Sequence, residues 1–247
     1  MNRTNPAVLG VIGGLGPMAT AYFMELVIKM TRAECDQQHL DMIIHNTPST
    51  PDRTAFLLER SNDSPMPKML AAGQSLCREG AAYIALPCVT AHNFLPELEE
   101  KLGVPVIDGV KETAAYLRER GVVRVGILAT EGTVSTRLFH RELEEQGIMP
   151  IVPDTEGQRA VTELIYGCVK ACRKADMEAF DRVSGQLRQR GAQVIVLGCT
   201  ELSLLKREHD LGAGYLDVLE VLAQRSITLC GKELKEAYRE LITRNQK

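Results

Sequence analysis

The chain lacks any apolar run near the roughly 18 residues that a membrane-spanning helix needs, so the sequence predicts no bilayer span. Its first residues, Met1 to Ala7, are polar and lack the basic stretch and long apolar core of a secretory signal. Charge of one sign is also scarce. Lys and Arg total 29 against 32 Asp and Glu, leaving a net charge of −3. Such a balance gives no reason to expect nucleic acid or an anionic membrane as a partner. Neither CxxC nor HExxH occurs, and no metal is expected. The glycine-rich turn Gly13–Gly16 follows a strand-like run but lacks GxGxxG spacing, and no GK[ST] is present, so no nucleotide cofactor is expected. Seven cysteines form an odd set without framework spacing. These absences point to a cytoplasmic protein that works without a cofactor.

What is present is an alternation. Short apolar runs (Val8–Ile12, Met42–His45, Tyr83–Leu86, Val104–Ile107, Val125–Leu128, Ile148–Val152, Val194–Leu197, Gly214–Leu216) are separated by amphipathic segments. The amphipathic segments include Ala19–Thr31, Lys68–Arg78, Val110–Arg120, Thr136–Gln146, Gln158–Arg173 and Met177–Arg190. Continuous apolar strands alternating with helices predict parallel sheets covered on both faces. Gly80, Gly121 and Gly191 stand where helix C-terminal caps belong.

The most informative feature is an internal repeat. GAAYIALPC (residues 80–88) and GAQVIVLGC (residues 191–199) share glycine, alanine, isoleucine, leucine and cysteine in register. LGVI at Leu9–Ile12 is similar to VGIL at Val125–Leu128, and Val106-Ile107-Asp108 to Tyr215-Leu216-Asp217. The fold class read from this pattern is α/β: two similar lobes with parallel sheets, related by pseudo-twofold symmetry. Residues 1–108 with 218–247 are expected to form one lobe and residues 109–217 the other. Ligands of open parallel sheets bind beyond the carboxyl ends of strands, where Cys88 and Cys199 stand. The two thiols are therefore expected to face one cleft between the lobes.

Further motifs carry a resemblance. GGLGPMAT (Gly13–Thr20), HNTPSTPDRT (His45–Thr54), PCVTAH (Pro87–His92), LATEGT (Leu128–Thr133), YGCVKA (Tyr166–Ala171) and GCTEL (Gly198–Leu202) occur in this order. Together they resemble the aspartate/glutamate racemases, a cofactor-independent family, over about Val8 to Leu229. The resemblance implies two α/β lobes with the active site between them, usually in a homodimer. It implies that Cys88 and Cys199 are the acid–base pair. It also implies that Arg53 and Lys170 contact an amino-acid substrate, as cations suited to a side-chain carboxylate. Gly14, Thr90, Thr130, Thr133, Thr200 and Glu201 complete the expected substrate-binding set. One position departs: the family's PCNTAH asparagine is Val89 here, and valine offers no hydrogen bond.

The chemistry suits two thiols. Inverting an α-carbon requires a proton to leave one face and return to the other. A cysteine pKa of about 8.5 lets one member be thiolate and one thiol at modest cost. The carbanion-like transition state needs donors, which backbone N–H groups at helix N-termini supply. The sequence thus predicts a racemase of aspartate or glutamate. A broader amino-acid racemase or another two-cysteine isomerase, and a non-catalytic dicarboxylate or amino-acid binder, stand as alternatives.

Overall fold

The computed structural model describes residues 7–243; the chain ends assigned to the first lobe, residues 1–6 and 244–247, lie outside the described residues. In chain order the elements are β1 (Val8–Gly13), α1 (Pro17–Met30), β2 (Met42–Asn46), α2 (Arg53–Leu57), α3 (Met66–Arg78), β3 (Ala81–Ala85), α4 (Leu95–Leu102) and α5 (Gly109–Glu119). They continue with β4 (Arg124–Ala129), α6 (Glu131–Ser135), α7 (Leu138–Glu145), β5 (Met149–Ile151), α8 (Thr155–Thr162), α9 (Met177–Gln189), β6 (Val194–Gly198), α10 (Thr200–Glu208), β7 (Tyr215–Asp217) and α11 (Val218–Leu229).

The sheets are parallel, with strand orders β2-β1-β3 and β5-β4-β6-β7. In each, the lobe's first strand lies between its second and third. The two lobes are α/β units of the same topology, as the repeat predicts. The expected strand Val104–Ile107 forms only a bridge, Ile84 to Val106, beside β3. Pro105 has no N–H to donate; its carbonyl accepts from Ile84 N, and Ile107 N donates back to Ile84 O. The segment therefore holds the place that β7 holds in the other sheet, without becoming a full strand.

Helix ends follow local chemistry. Asp108 and Asp217, in register in the repeat, both accept from N–H groups of the helices they start, α5 and α11. Asp52, Asp154, Asp176 and Thr130 cap in the same way. Gly80, Gly121 and Gly191 adopt the left-handed conformation predicted for them. The single helix expected over Gln158–Arg173 is not formed. α8 passes at Glu163 into a π-helix, Glu163–Val169, and a turn follows in which Cys172 is left-handed. The i→i+5 bonds Lys170 N→Ile165 O and Arg173 N→Cys168 O widen this stretch.

Each lobe has its own apolar cluster, around Ile12, Leu76, Ile84 and Leu98 in one and Phe180, Leu187, Ile195 and Leu202 in the other. A third cluster joins them, with Phe23 of α1, Val110 and Leu117 of α5, and Leu222 and Ile227 of α11 meeting Val11, Val125 and Val196. Each such side chain contributes about 1.5–3 kcal/mol on burial. The shared cluster therefore joins the two lobes through a common core.

Candidate active site

The carboxyl ends of β1, β3, β4 and β6 converge. Cys88 lies just beyond β3 and precedes a 3-10 turn, Val89–Phe94; Cys199 lies just beyond β6 and starts α10. Both are buried. Both line one cavity with Leu15, Asp52, Arg53, Thr54, Val89, Thr90, Thr130, Tyr166, Lys170, Thr200 and Glu201. Its free volume is about 10 Å³, room for about one water. An adjoining cleft of about 320 Å³ shares Asp52, Arg53, Lys170 and Glu201 with it. Gly14 lines this outer cleft and not the inner cavity. Its backbone is left-handed, and a Cβ there would lie 2.3 Å from Thr47 N. Only glycine lets the loops after β1 and β2 pack this closely.

The two thiols have different neighbours. Cys199 Sγ donates to Glu201 Oε2 at 2.9 Å. Burial, then the Glu201 charge, push the Cys199 pKa well up against an opposing pull from Lys170. Lys170 Nζ pairs with Glu201 Oε1 at 2.8 Å. Burial alone would weaken its hold on its proton, but Glu201 and then Cys199 more than reverse this, so it stays charged. On the other wall, Arg53 is buried and donates to Pro51 O and Leu15 O, each at 2.9 Å. Its Nε has no partner among the described residues. Burial opposes its charge, yet the facing Cys88 and Asp52 raise its pKa on balance.

Three threonine hydroxyls close a triangle between the lobes. Thr90 Oγ1 lies 2.9 Å from Thr130 Oγ1 and 3.1 Å from Thr133 Oγ1, which are 3.0 Å apart. Thr133 supports the cavity wall from behind. Thr200 Oγ1 lies 3.4 Å from Glu201 Oε2.

His92, beside Cys88 in the sequence, is turned away from this chemistry. Its Nε2 accepts from Gly109 N at 3.1 Å, which leaves Nδ1–H to donate to Cys88 O at 3.0 Å. Burial lowers its pKa. It is a neutral strut joining the Cys88 backbone to the start of α5.

Sequence reasoning missed Asp52, Thr54 and Tyr166. Asp52 sits inside the PDRT motif, where Oδ1 caps α2 and Oδ2 accepts from Tyr166 Oη at 3.5 Å. Burial pushes the Tyr166 pKa up to about 12, so it remains a donor. The PDRT motif that holds Asp52 and Thr54 and the motif that opens with Tyr166 were the available signal. Among the described residues no cluster of three or more His, Cys, Asp or Glu is arranged to hold a metal ion, and no helix is long and apolar enough to cross a membrane.

Paired thiols at equivalent strand ends of two repeated lobes agree with the match of residues 12–225 to the model of the Asp/Glu/Hydantoin racemase family. The chain belongs to this family. Its two-lobe fold is similar to that of the aspartate racemase of Picrophilus torridus, with a TM-score of 0.82 and 29% identity. That likeness covers 94% of this chain and 98% of the other. The broad specificity amino-acid racemase RacX of Bacillus subtilis (strain 168) is 28% identical over 202 residues, covering 79% of this chain and 86% of the relative. A glutamate racemase of Shewanella loihica is 30% identical over 166 residues, covering 63% of this chain and 60% of the relative. The racemase family is thus shown by relatives that differ in their named substrates.

Proposed function

We propose that this chain racemises an α-amino acid without a cofactor, using Cys88 and Cys199 as paired acid and base. The observation that carries the reading is that two buried thiols from repeated lobes line one cavity, with opposite electrostatic neighbours. Cys199, bonded to Glu201, starts as the acid; Cys88, facing Arg53, starts as the base. The proton leaves the α-carbon to one sulfur, and the other sulfur supplies a proton to the opposite face. The roles exchange for the other enantiomer. Backbone N–H groups beyond β3 and β6 and the threonine hydroxyls stabilise the charge that develops on the substrate carboxylate. Holding the substrate between the sulfurs supplies the orientation that a bimolecular reaction lacks.

Aspartate and glutamate are the substrates that the motifs imply, with Arg53 and Lys170 as the cations for a side-chain carboxylate. A wider range of amino acids is the second reading. It is favoured by Val89 in the cavity wall and by the Glu201 carboxylate, which already neutralises Lys170. A homodimer in the cytoplasm is the setting we propose.

The test is incubation with single enantiomers of aspartate, glutamate and a panel of neutral and basic amino acids in deuterated water. Chiral separation and mass spectrometry then follow the products. Appearance of the opposite enantiomer carrying deuterium at Cα is expected for at least one. Calorimetric binding with no exchange for any would replace this reading with a binding protein.

A further inference from the structure

The cavity around the two thiols holds about one water, so its walls must shift before an amino acid fits between the sulfurs. The shared cluster of α1, α5 and α11 joins the lobes through apolar packing. A separate seam of polar and close backbone contacts crosses from the first lobe to α6. At its inner end, Thr90 meets Thr130 and Thr133. Further out, Gly132 lies against Thr54, and a Cβ on Gly132 would stand 3.1 Å from both Thr54 Cα and Oγ1. At its outer end, Arg60, three residues beyond α2, grips Glu131 with two prongs. Nη2 donates to Oε1 at 3.0 Å, and Nη1 lies 3.0 Å from Oε2. Neither Arg60 nor Glu131 lines the cavity.

We propose that the Arg60–Glu131 pair and the Thr54–Gly132 contact form a latch that holds the lobes shut over Cys88 and Cys199. This inference rests on the reading that the cavity receives the substrate. The two-pronged pair is planar and directional, so it fixes the relative position of α2 and α6 in the closed state. Glycine at position 132 lets the two backbones touch; a larger residue would wedge them apart. Arg60 and Glu131 are positioning residues: they act on the spacing between lobes and touch no reacting atom.

The experiment measures how fast N-ethylmaleimide alkylates Cys88 and Cys199 in the full chain, resolved by peptide mass. Both thiols are buried in the closed form. Buried Cys230, outside the cavity, serves as the internal control. Arg60→Ala and Glu131→Ala are each expected to speed alkylation of the cavity pair about two- to fivefold, the range of a partly exposed ion pair. The double variant is expected to add little to either single one. The charge-reversed pair, Arg60→Glu with Glu131→Arg, is expected to return the rate toward that of the unmodified chain. Gly132→Val is expected to speed alkylation independently of salt, whereas about 1 M salt speeds it in the unmodified chain by screening the pair.

Unchanged alkylation of Cys88 and Cys199 in all three single variants would overturn the latch. So would equal acceleration at Cys230, which would mean general loosening. These outcomes do not depend on turnover. A chain with the expected alkylation pattern but no racemisation of any amino acid would retain the latch and lose the racemase reading.

Discussion

Glu201 holds Cys199 and Lys170 at once. One carboxylate oxygen accepts from the thiol at 2.9 Å and the other lies 2.8 Å from the ammonium. All three groups stand in or beside the buried start of α10, so the charge of Glu201 acts on Cys199 with little screening. That charge raises the Cys199 pKa. Replacing it by the neutral amide in Glu201→Gln is expected to lower the Cys199 pKa and the rate together. The limb of the pH–rate profile assigned to Cys199 should move to lower pH, with kcat/KM falling about tenfold. Full pH profiles of kcat/KM for both enantiomers check this; an unmoved limb would remove Glu201 from the proton path.

Cys88→Ser and Cys199→Ser are each expected to abolish racemisation, because one remaining sulfur returns a proton to the face it came from. The loss should exceed a thousandfold, with little change in thermal stability, since serine is nearly isosteric. Each single variant should still exchange the α-proton of one enantiomer, and the two variants should select opposite enantiomers. Proton NMR in deuterated water separates exchange from inversion. Normal racemisation by both variants would end the thiol mechanism.

Val89 lines the cavity next to Cys88 and is buried. Val89→Asn places an amide where the related motif carries one. An unpartnered buried amide costs about 1–3 kcal/mol, so the free chain should lose roughly that much stability. Bound substrate supplies a partner, so ligand should recover more stability in the variant than in the unmodified chain. The ratio of kcat/KM for aspartate to that for neutral amino acids is expected to rise about tenfold. Thermal melts with and without aspartate, together with the substrate panel, test both parts.

A second buried cluster predicts the pH dependence of stability. Asp217 and Glu220 at the start of α11 share one nearby cation, Lys206 of α10, which lies 2.7 Å from Glu220. Ser203 Oγ donates to Asp217 at 2.6 Å, and Tyr22 of α1 completes the surroundings. Burial, then the Asp217 charge, push the Glu220 pKa up to about 7 against the pull of Lys206. The folded chain therefore binds more protons than the unfolded chain between the ordinary glutamate range and pH 7. Stability is expected to fall as pH rises through that window and to level off above it, by roughly 3 kcal/mol. Glu220→Gln should flatten this slope. Denaturant melts from pH 4.5 to 8 provide the measurement; the same slope in the variant would assign it elsewhere.

Much of the fold was legible because parallel strands buried on both faces must be continuously apolar, and helix ends need caps. The repeat read at Cys88 and Cys199 matches the equivalent positions of β3 and β6. The repeat at Asp108 and Asp217 matches two equivalent caps. Two segments escaped this logic. Val104–Ile107 has strand composition, but one missing N–H at Pro105 limits it to a bridge. Gln158–Arg173 has helical periodicity, which does not distinguish α from π hydrogen bonding, and the widened turn is what delivers Lys170 to the cleft.

The residue types of the site were likewise written in the motifs, but their pairings were not. Whether Lys170 meets a substrate or Glu201, and whether His92 serves a thiol or a backbone, depends on distances between elements far apart in the chain. Sequence by itself determined the α/β class, the duplication and the cysteines at strand ends, because these follow from local periodicity and from residues repeated in register. Only the tertiary structure decided which charges face each sulfur, how tightly the cavity closes and what crosses between the lobes. Those properties arise from packing two lobes against each other, and no single stretch of chain encodes them.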